Sequence, residues 1–369
     1  MARILFYSPF NQRSRDTESL MIAFHNQGHQ VISLTQQEGF VINDFLRSKG
    51  VAAYSYIPTG KRSGWWYYLR LLFFFIRFCW KQNIQIVYSH LEPANFVASI
   101  GQYFIRAKTF LCRHHIDEGQ LYRFDQDLYY KITYCLARHI IVVSDHARKY
   151  MIEKERIPSR KIVHINLAYD FSLYGSPDAK MIEQIKNEYQ AQIRLVSACR
   201  LTAYKRPDLI IEVVKELVGC GLDVKLVMLG KGEMEQELVQ RINELDLQQR
   251  VFMPGYVSNV LDYLGAADFF LHPSILDSSC VAVKEAALVS LPVIVCEGVG
   301  DFDDYVRHMK NGFVVNRDAY VTEATEIILQ NFHNKNLLRN IGKNLNHEVL
   351  RLFSVGNIIG QYDALNTTR

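Results

Sequence analysis

Twelve short runs rich in Val, Ile, Leu and Phe recur along this chain, and most are followed by a periodic segment of helical length. No other feature constrains the fold as much. Runs that are apolar at consecutive positions belong to strands covered on both faces, and parallel strands need crossovers that helices supply. The runs fall at 3–8, 30–34, 84–89, 109–113, 140–144 and 162–167, then at 193–198, 224–229, 251–253, 269–272, 293–296 and 312–315. Between the two sets, Tyr174-Gly-Ser-Pro177 interrupts the rhythm and a polar, charged stretch follows. The pattern predicts an α/β protein with two open parallel sheets, each with helices on both faces. The 369 residues suit two domains of ordinary size. Residues 331–369 read as helices without strands.

Apolar residues make up 49% and charged residues 22%, the balance of a globular chain with a full core. The first apolar run, Ile4 to Tyr7, is too short for a signal peptide and reads as a first strand. Seven cysteines (79, 112, 135, 199, 220, 280, 296) include no C-x-x-C pair, which argues for reduced thiols in a cytoplasmic compartment, with neither a disulfide frame nor zinc. Charge is uneven: residues 1–170 carry 22 Lys+Arg against 13 Asp+Glu, and the remainder 20 against 25. A basic first half suits an anionic partner or is simply a basic soluble domain. No nucleic-acid-binding module accompanies it.

In open parallel sheets ligands bind at the carboxyl ends of strands, where helix N-termini offer unpaired N–H groups. Five segments stand at such places. Ser197-Ala-Cys-Arg-Leu-Thr-Ala-Tyr-Lys-Arg-Pro-Asp208 ends a strand and opens a helix at Pro207. Its Arg200 and Lys205 can clamp a diphosphate, the arginine as a planar fork and the lysine as a point charge. The plainer alternative is a solvated loop. After the strand ending at His272-Pro273, a helix is expected from about Ser279. The N–H groups of Ser279, Cys280 and Val281 there suit a phosphate, Glu285 can accept from ribose hydroxyls and Asp277 from sugar hydroxyls. Taken singly, Asp277 reads equally as a helix cap and Glu285 as a surface residue. Gly230-Lys-Gly232, Gly255-Tyr256-Val257 and Cys296-Glu-Gly-Val-Gly300 are glycine-bearing turns after strands, weak signals alone.

The order of these segments resembles the retaining glycosyltransferases of family 4, also described as glycosyl transferases group 1. Cys199-Arg200-Leu201 with Lys205 matches the family's G-R-L and lysine, and Gly230-Lys-Gly232 its G-x-G. Gly255-Tyr256-Val257 matches G-x-V, Ala267-Asp268 through Pro273-Ser274 matches A-D-x4-P-S, Asp277 to Glu285 matches E-x7-E, and Pro292-Val-Ile294 matches P-V-I. The resemblance implies the GT-B fold: two Rossmann-like domains facing across a cleft, with a C-terminal helix returning to the first. On that scheme 1–172 is the acceptor-side domain, 173–345 the donor domain and 346–369 the returning helix. The resemblance also implies roles. Arg200 and Lys205 bind the donor diphosphate, with Gly230 beside them and Ser279, Cys280 and Val281 at the phosphate. Glu285 holds the ribose, Asp277 contacts the transferred sugar, and Gly255, Tyr256 and Val257 lie where the base packs. The donor is then a UDP- or GDP-linked sugar, with no metal required. Asp125-Gln-Asp127 and Asp301-Phe-Asp303 have the letters of a metal-binding D-x-D away from the expected place. Asp277 for Glu, Cys199 and Cys280 for Gly, and Asp301 and Asp304 for Gly and Glu are departures.

The first half matches less. Its opening loop, with Arg13 and Arg15, lacks the family's Gly-Gly, whereas Gly28-His-Gln-Val31 and Asn166-Leu-Ala-Tyr-Asp170 have family counterparts. Arg113-His114-His115 follows a strand where the family often places a catalytic-site histidine, and either His114 or His115 fits. Residues 65–81, Trp-Trp-Tyr-Tyr-Leu-Arg-Leu-Leu-Phe-Phe-Phe-Ile-Arg-Phe-Cys-Trp-Lys, are too short and too charged to span a bilayer. They read as a helix in a membrane interface or as a core helix beside a strand. The expected activity is retaining transfer of a sugar from a nucleotide diphosphate-sugar to a hydroxyl acceptor: a glycan, glycolipid or lipid-linked molecule in cell-surface polysaccharide synthesis. The setting is cytoplasmic, with the inner face of the membrane as a candidate surface. A nucleotide-sugar 2-epimerase of the same fold and a non-catalytic sugar-nucleotide binder are the alternatives.

Overall fold

A computed structural model describes residues 1–37, 41–58, 64–114 and 127–367, without the side chains of Asp127 and Leu128. His115, Lys61, Arg62 and Asp125 lie outside the described residues. The chain divides into two compact units, Met1–Leu173 with Leu352–Arg369, and Tyr174–Arg351. Both are Rossmann-like, with wholly parallel sheets.

The first unit's strands are β1 (Arg3–Ser8), β2 (Gln30–Thr35), β3 (Ala52–Ser55), β4 (Ile86–His90), β5 (Lys108–Arg113), β6 (His139–Val142) and β7 (Ile162–His164), in the spatial order β3-β2-β1-β4-β5-β6-β7. One face of the sheet packs Leu5, Val87 and Leu111 with Leu71, Phe75, Val97 and Tyr134. The other packs Ile4, Phe6 and Tyr88 with Leu20, Phe24, Leu46, Ile358 and Tyr362. Burying one such large apolar side chain contributes about 1.5–3 kcal/mol, so the two layers set the register. The last helix, Val355–Thr367, belongs to this unit. Phe353 O accepts from Tyr169 N at 2.7 Å, Asn366 Oδ1 from Tyr88 Oη at 2.6 Å, and Leu365 O from Lys108 Nζ at 2.6 Å. Strand β3 has no counterpart among the runs read from the sequence. It is an edge strand in which only Ala53 is buried, so it carries little apolar signal.

The second unit's strands are β8 (Ile193–Ala198), β9 (Val224–Leu229), β10 (Val251–Gly255), β11 (Phe269–His272), β12 (Val293–Cys296) and β13 (Phe313–Val315), in the order β10-β9-β8-β11-β12-β13. The chain winds outward from β8 on one side and from β11 on the other. The gap between their carboxyl ends is therefore the topological switch point, where such sheets bind ligands. The helix Pro207–Gly219 shows how local sequence sets the frame. Pro207 starts it, Ile210, Ile211, Val213, Val214 and Leu217 bury one stripe, and Gly221 at φ +84° turns the chain out after it.

Candidate functional site

Two loops meet at the switch point of the second unit. Residues 199–206 follow β8 and residues 273–280 follow β11. They are stitched together: Ile275 N donates to Tyr204 O at 3.0 Å, and Ser274 Oγ, fully buried, donates to Tyr204 O at 3.2 Å and Leu276 O at 2.8 Å. Of the cations read from the sequence, Arg200 is exposed at the tip, whereas Lys205 turns inward. Its Nζ lies 2.5 Å from Asp277 Oδ2, and both side chains are largely buried. His272 Nε2 meets the same oxygen at 2.9 Å, and Asp277 Oδ1 accepts from Ser278 N at 3.0 Å.

The electrostatics follow from that contact. Burial alone would raise the Asp277 carboxyl, but the His272 hydrogen bond and the Lys205 charge reverse it, holding the group well below the usual carboxylate range. Burial alone would lower His272, but the Cys280 sulfur and Asp277 raise it to about 9. Lys205 is raised as well, since Asp277 outweighs its desolvation. His272 had drawn no attention in the sequence, where it is only the end of an apolar run. Its spacing of five from Asp277, across a strand tip, is the one signal that could have found it. One ligand atom each of His272, Asp277 and Cys280 lies within 4.8 Å of the others, a set able to hold a cation, and the Lys205 ammonium already sits on its carboxylate.

The helix after the second loop is Val281–Leu288, with Cys280 as its extended N-cap and no side-chain cap bond. It begins two residues later than the sequence suggested. Cys280 is extended, at φ −70° and ψ 112°, and Ser279 before it donates its Oγ to Asp301 Oδ2 at 2.6 Å. Lys284 Nζ completes the triad, 2.8 Å from Ser279 Oγ and 2.6 Å from Asp301 Oδ2. Lys284 and Asp301 are both fully buried. Burial raises the Asp301 carboxyl, and the nearby Lys284 only partly opposes this. The triad ties the first turn of the helix to the loop after β12. The backbone N–H groups of Val281, Ala282 and Val283 precede the first intrahelical bond and are the donors of a helix N-terminus. Glu285 is half-buried one turn further on.

The glycine turns have packing reasons of their own. A Cβ on Gly230 would lie 2.0 Å from Cys199 O, and one on Gly232 2.1 Å from Leu201 O. These residues are glycine because the turn presses on the backbone of the Arg200 loop, so Gly230 positions that loop directly. Gly255 has φ +82° at the end of β10, Tyr256 beside it is 81% exposed, and Val257 is half-buried.

In the first unit the switch point lies between β1 and β4. His90, the last residue of β4, and His114, just after β5, meet there: Nδ1 of His90 is 2.8 Å from Nε2 of His114. Burial lowers both, and His114 lowers His90 further. His90 escaped the sequence reading because it ends a strand alone, without the adjacent pair that marked 114 and 115. Arg13 is bound to Glu18, its Nε 2.5 Å from Oε1, and Arg15 Nη1 donates to Leu173 O at 3.2 Å.

Two family models match the chain: Glycosyltransferase Family 4 over residues 15–173 and Glycosyl transferases group 1 over residues 178–347. The chain belongs to the group 1/family 4 glycosyltransferases, with the GT-B fold. Among solved structures, the Anabaena protein Alr3699/HepE in complex with UDP is similar over 99% of this chain and 100% of its own, with a TM-score of 0.85 at 18% identity. The poly(ribitol-phosphate) alpha-N-acetylglucosaminyltransferase of Staphylococcus aureus is 22% identical over 58% of this chain and 45% of its own. The N-acetylgalactosamine-N,N'-diacetylbacillosaminyl-diphospho-undecaprenol 4-alpha-N-acetylgalactosaminyltransferase of Campylobacter jejuni is 30% identical over 27% of each chain. The chain spans about half the length, or less, of the curated relatives it matches.

Proposed function

We propose that this protein transfers a sugar from a nucleotide diphosphate-sugar to a hydroxyl acceptor, with retention at the anomeric carbon. The observation that carries the reading is the contact of Lys205 with Asp277 at one switch point, with Arg200 on the loop after β8 and the start of the helix Val281–Leu288 just after the loop that follows β11. A diphosphate needs donors and positive charge, and a helix N-terminus beside an exposed arginine and a buried lysine provides both. UDP bound to the structurally similar Anabaena protein supports a uridine or other nucleotide donor.

The chemistry follows from the charges. As the bond from the anomeric carbon to the diphosphate breaks, negative charge grows on the leaving oxygen, and Arg200, Lys205 and the N–H groups of the helix stabilise it. Glu285 accepts from ribose hydroxyls, and Gly255, Tyr256 and Val257 receive the base. Cys280 stands where the family has glycine, with its buried sulfur against His272. Without donor, Lys205 neutralises Asp277; a diphosphate draws the ammonium to itself and frees one lone pair of Asp277 Oδ2 for a hydroxyl of the transferred sugar. His272 stays on Asp277 and keeps it ionised. No step in this scheme calls for a metal.

The second unit is thus the donor domain. On this reading the first unit, with the last helix, is the acceptor side, and His114 or His115 is its candidate catalytic residue. The acceptor is a glycan or a lipid-linked molecule of cell-surface polysaccharide synthesis. The poly(ribitol-phosphate) and diphospho-undecaprenol named for the two relatives support this class. The protein would work in the cytoplasm, peripheral to the inner face of the membrane. A thermal-shift screen with UDP-, GDP- and ADP-sugars identifies the donor, and proton NMR of the product reads the anomeric configuration. An inverted product contradicts retention; no stabilisation by any nucleotide sugar contradicts the donor site.

A further inference from the structure

The helix Trp65–Lys81 buries Leu71, Phe75, Phe78 and Cys79 against the first sheet. Its other face does not follow the rule that apolar side chains turn inward. Trp65, Trp66, Leu69, Phe73 and Trp80 are 61%, 62%, 42%, 72% and 61% exposed. At 3.6 residues per turn these five fall within an arc of about 100°, and Arg77, Arg70 and Lys81 occupy the next 60° or so. All three cations are exposed. A large apolar strip bordered by cations is the pattern of a helix lying in a bilayer interface, with aromatics among the acyl chains and cations at headgroup level.

A second element extends the strip. Trp80 Nε1 donates to Phe104 O at 3.1 Å, and Tyr103 and Phe104 are 51% and 58% exposed. Beside them, the Arg138 guanidinium stands 4.7 Å from the centroid of the Tyr103 ring, and Arg106, Lys131 and Arg138 are exposed. Charge selects the partner. Arg70, Arg77, Lys81, Arg106, Lys131 and Arg138 are all exposed, and neither the helix 65–81 nor the turn 103–106 contains an acid. No described helix is long and apolar enough to cross a membrane, so the helix lies on the surface it binds.

We propose that this face of the first unit docks on an anionic lipid bilayer, with the helix Trp65–Lys81 in the interface plane and the Tyr103–Phe104 turn as a second point of insertion. Docking brings the acceptor-side unit to membrane-borne acceptors. That consequence rests on the proposed transferase function, whereas the docking itself does not.

All three tryptophans of the chain (65, 66 and 80) sit on the strip, so tryptophan fluorescence, excited selectively, reports on this surface alone. The full chain is titrated with phosphatidylcholine vesicles with and without phosphatidylglycerol, at low and high salt. Phosphatidylglycerol vesicles are expected to bind, shift the emission to the blue and, when the acyl chains carry bromine, quench it; salt should weaken the effect. Arg77→Gln, Lys81→Gln and Arg106→Gln together should weaken binding on the order of a hundredfold, at roughly fivefold per cation near an anionic surface. Trp66→Ser with Phe73→Ser should remove the residual quenching. Both variants should keep the wild-type circular dichroism and nucleotide-sugar binding. No binding to phosphatidylglycerol vesicles at low salt overturns the proposal. So does vesicle binding unchanged by both variants. If the same substitutions instead abolish a dimer seen by sedimentation velocity, the face meets a second copy and the lipid proposal fails. Transfer to a water-soluble acceptor is measured without vesicles: its loss with docking intact refutes the transferase reading alone, and the reverse refutes docking alone.

Discussion

The Lys284–Asp301 pair gives a quantitative test of the frame behind the proposed donor site. Both side chains are almost wholly excluded from solvent, Nζ lies 2.6 Å from Oδ2, and Ser279 Oγ bridges them. Removing one partner strands a charge: Lys284→Met leaves the Asp301 carboxylate with Ser279 alone, and Asp301→Ala leaves the ammonium facing Ser279 and the Tyr305 ring. Each single substitution should cost about 3–5 kcal/mol, whereas replacing both partners of such a pair is often close to neutral. The raised Asp301 carboxyl argues in the same direction, because its charge with Lys284 does not repay burial. For a unit of this size, where 1 kcal/mol moves the midpoint about 2–4 °C, the single variants should lose roughly 6–20 °C. The double variant should recover most of it. Tryptophan fluorescence follows only the first unit, so a calorimetric transition without a fluorescence counterpart belongs to the second. Two single variants within about 1 kcal/mol of wild type, or a double variant showing the full sum of both losses, would refute the reasoning.

Other predictions follow from the same geometry. His272 is raised to about 9, so its contribution to the second unit is complete below its ordinary value and is lost as pH rises through about 9. The loss, about 3 kcal/mol at 1.36 kcal/mol per pH unit, should appear as a falling calorimetric midpoint from pH 7 to 10 and be much smaller in His272→Gln. His90 and His114 are lowered by burial, so the first unit should instead lose stability as pH falls below about 6.5, followed by tryptophan fluorescence; a flat profile from pH 7 to 5 contradicts the buried pair. Gly230→Ala, with a Cβ 2.0 Å from Cys199 O at φ +125°, should cost about 2 kcal/mol or more and weaken nucleotide-sugar binding. Gly219→Ala, with open space around the new carbon in a helix, should stabilise by roughly 0.5–1 kcal/mol in the same thermal assay.

The second sheet was legible because its strands are buried runs of β-branched and large apolar residues: 193–198, 224–229, 269–272 and 293–296 are strands over the same residues that the pattern picked out. The edge strand at 52–55 left no trace, since one buried alanine makes no pattern. Arg200 and Lys205 were legible as cations at a strand tip, but not their different fates, because only the fold brings Asp277 under Lys205. Lys284 is the clearest limit. A lysine between valine and glutamate on a helix reads as solvated, and its buried partner seventeen residues on is set by the loop after β12. The aromatic helix was legible as a helix, while its two faces needed the sheet to decide which side is covered.

The central claim is that the second unit holds a nucleotide diphosphate-sugar through the loop after β8, and Arg200→Ala tests it most directly. The substitution removes an exposed side chain, so the thermal midpoint without ligand should stay within about 1 °C, as expected of surface substitutions. A charge-assisted bond to phosphate is worth about 1.5–3 kcal/mol, so calorimetric titration with the nucleotide sugar that stabilises the wild type should give a Kd roughly tenfold to hundredfold weaker. An unchanged Kd would contradict the account.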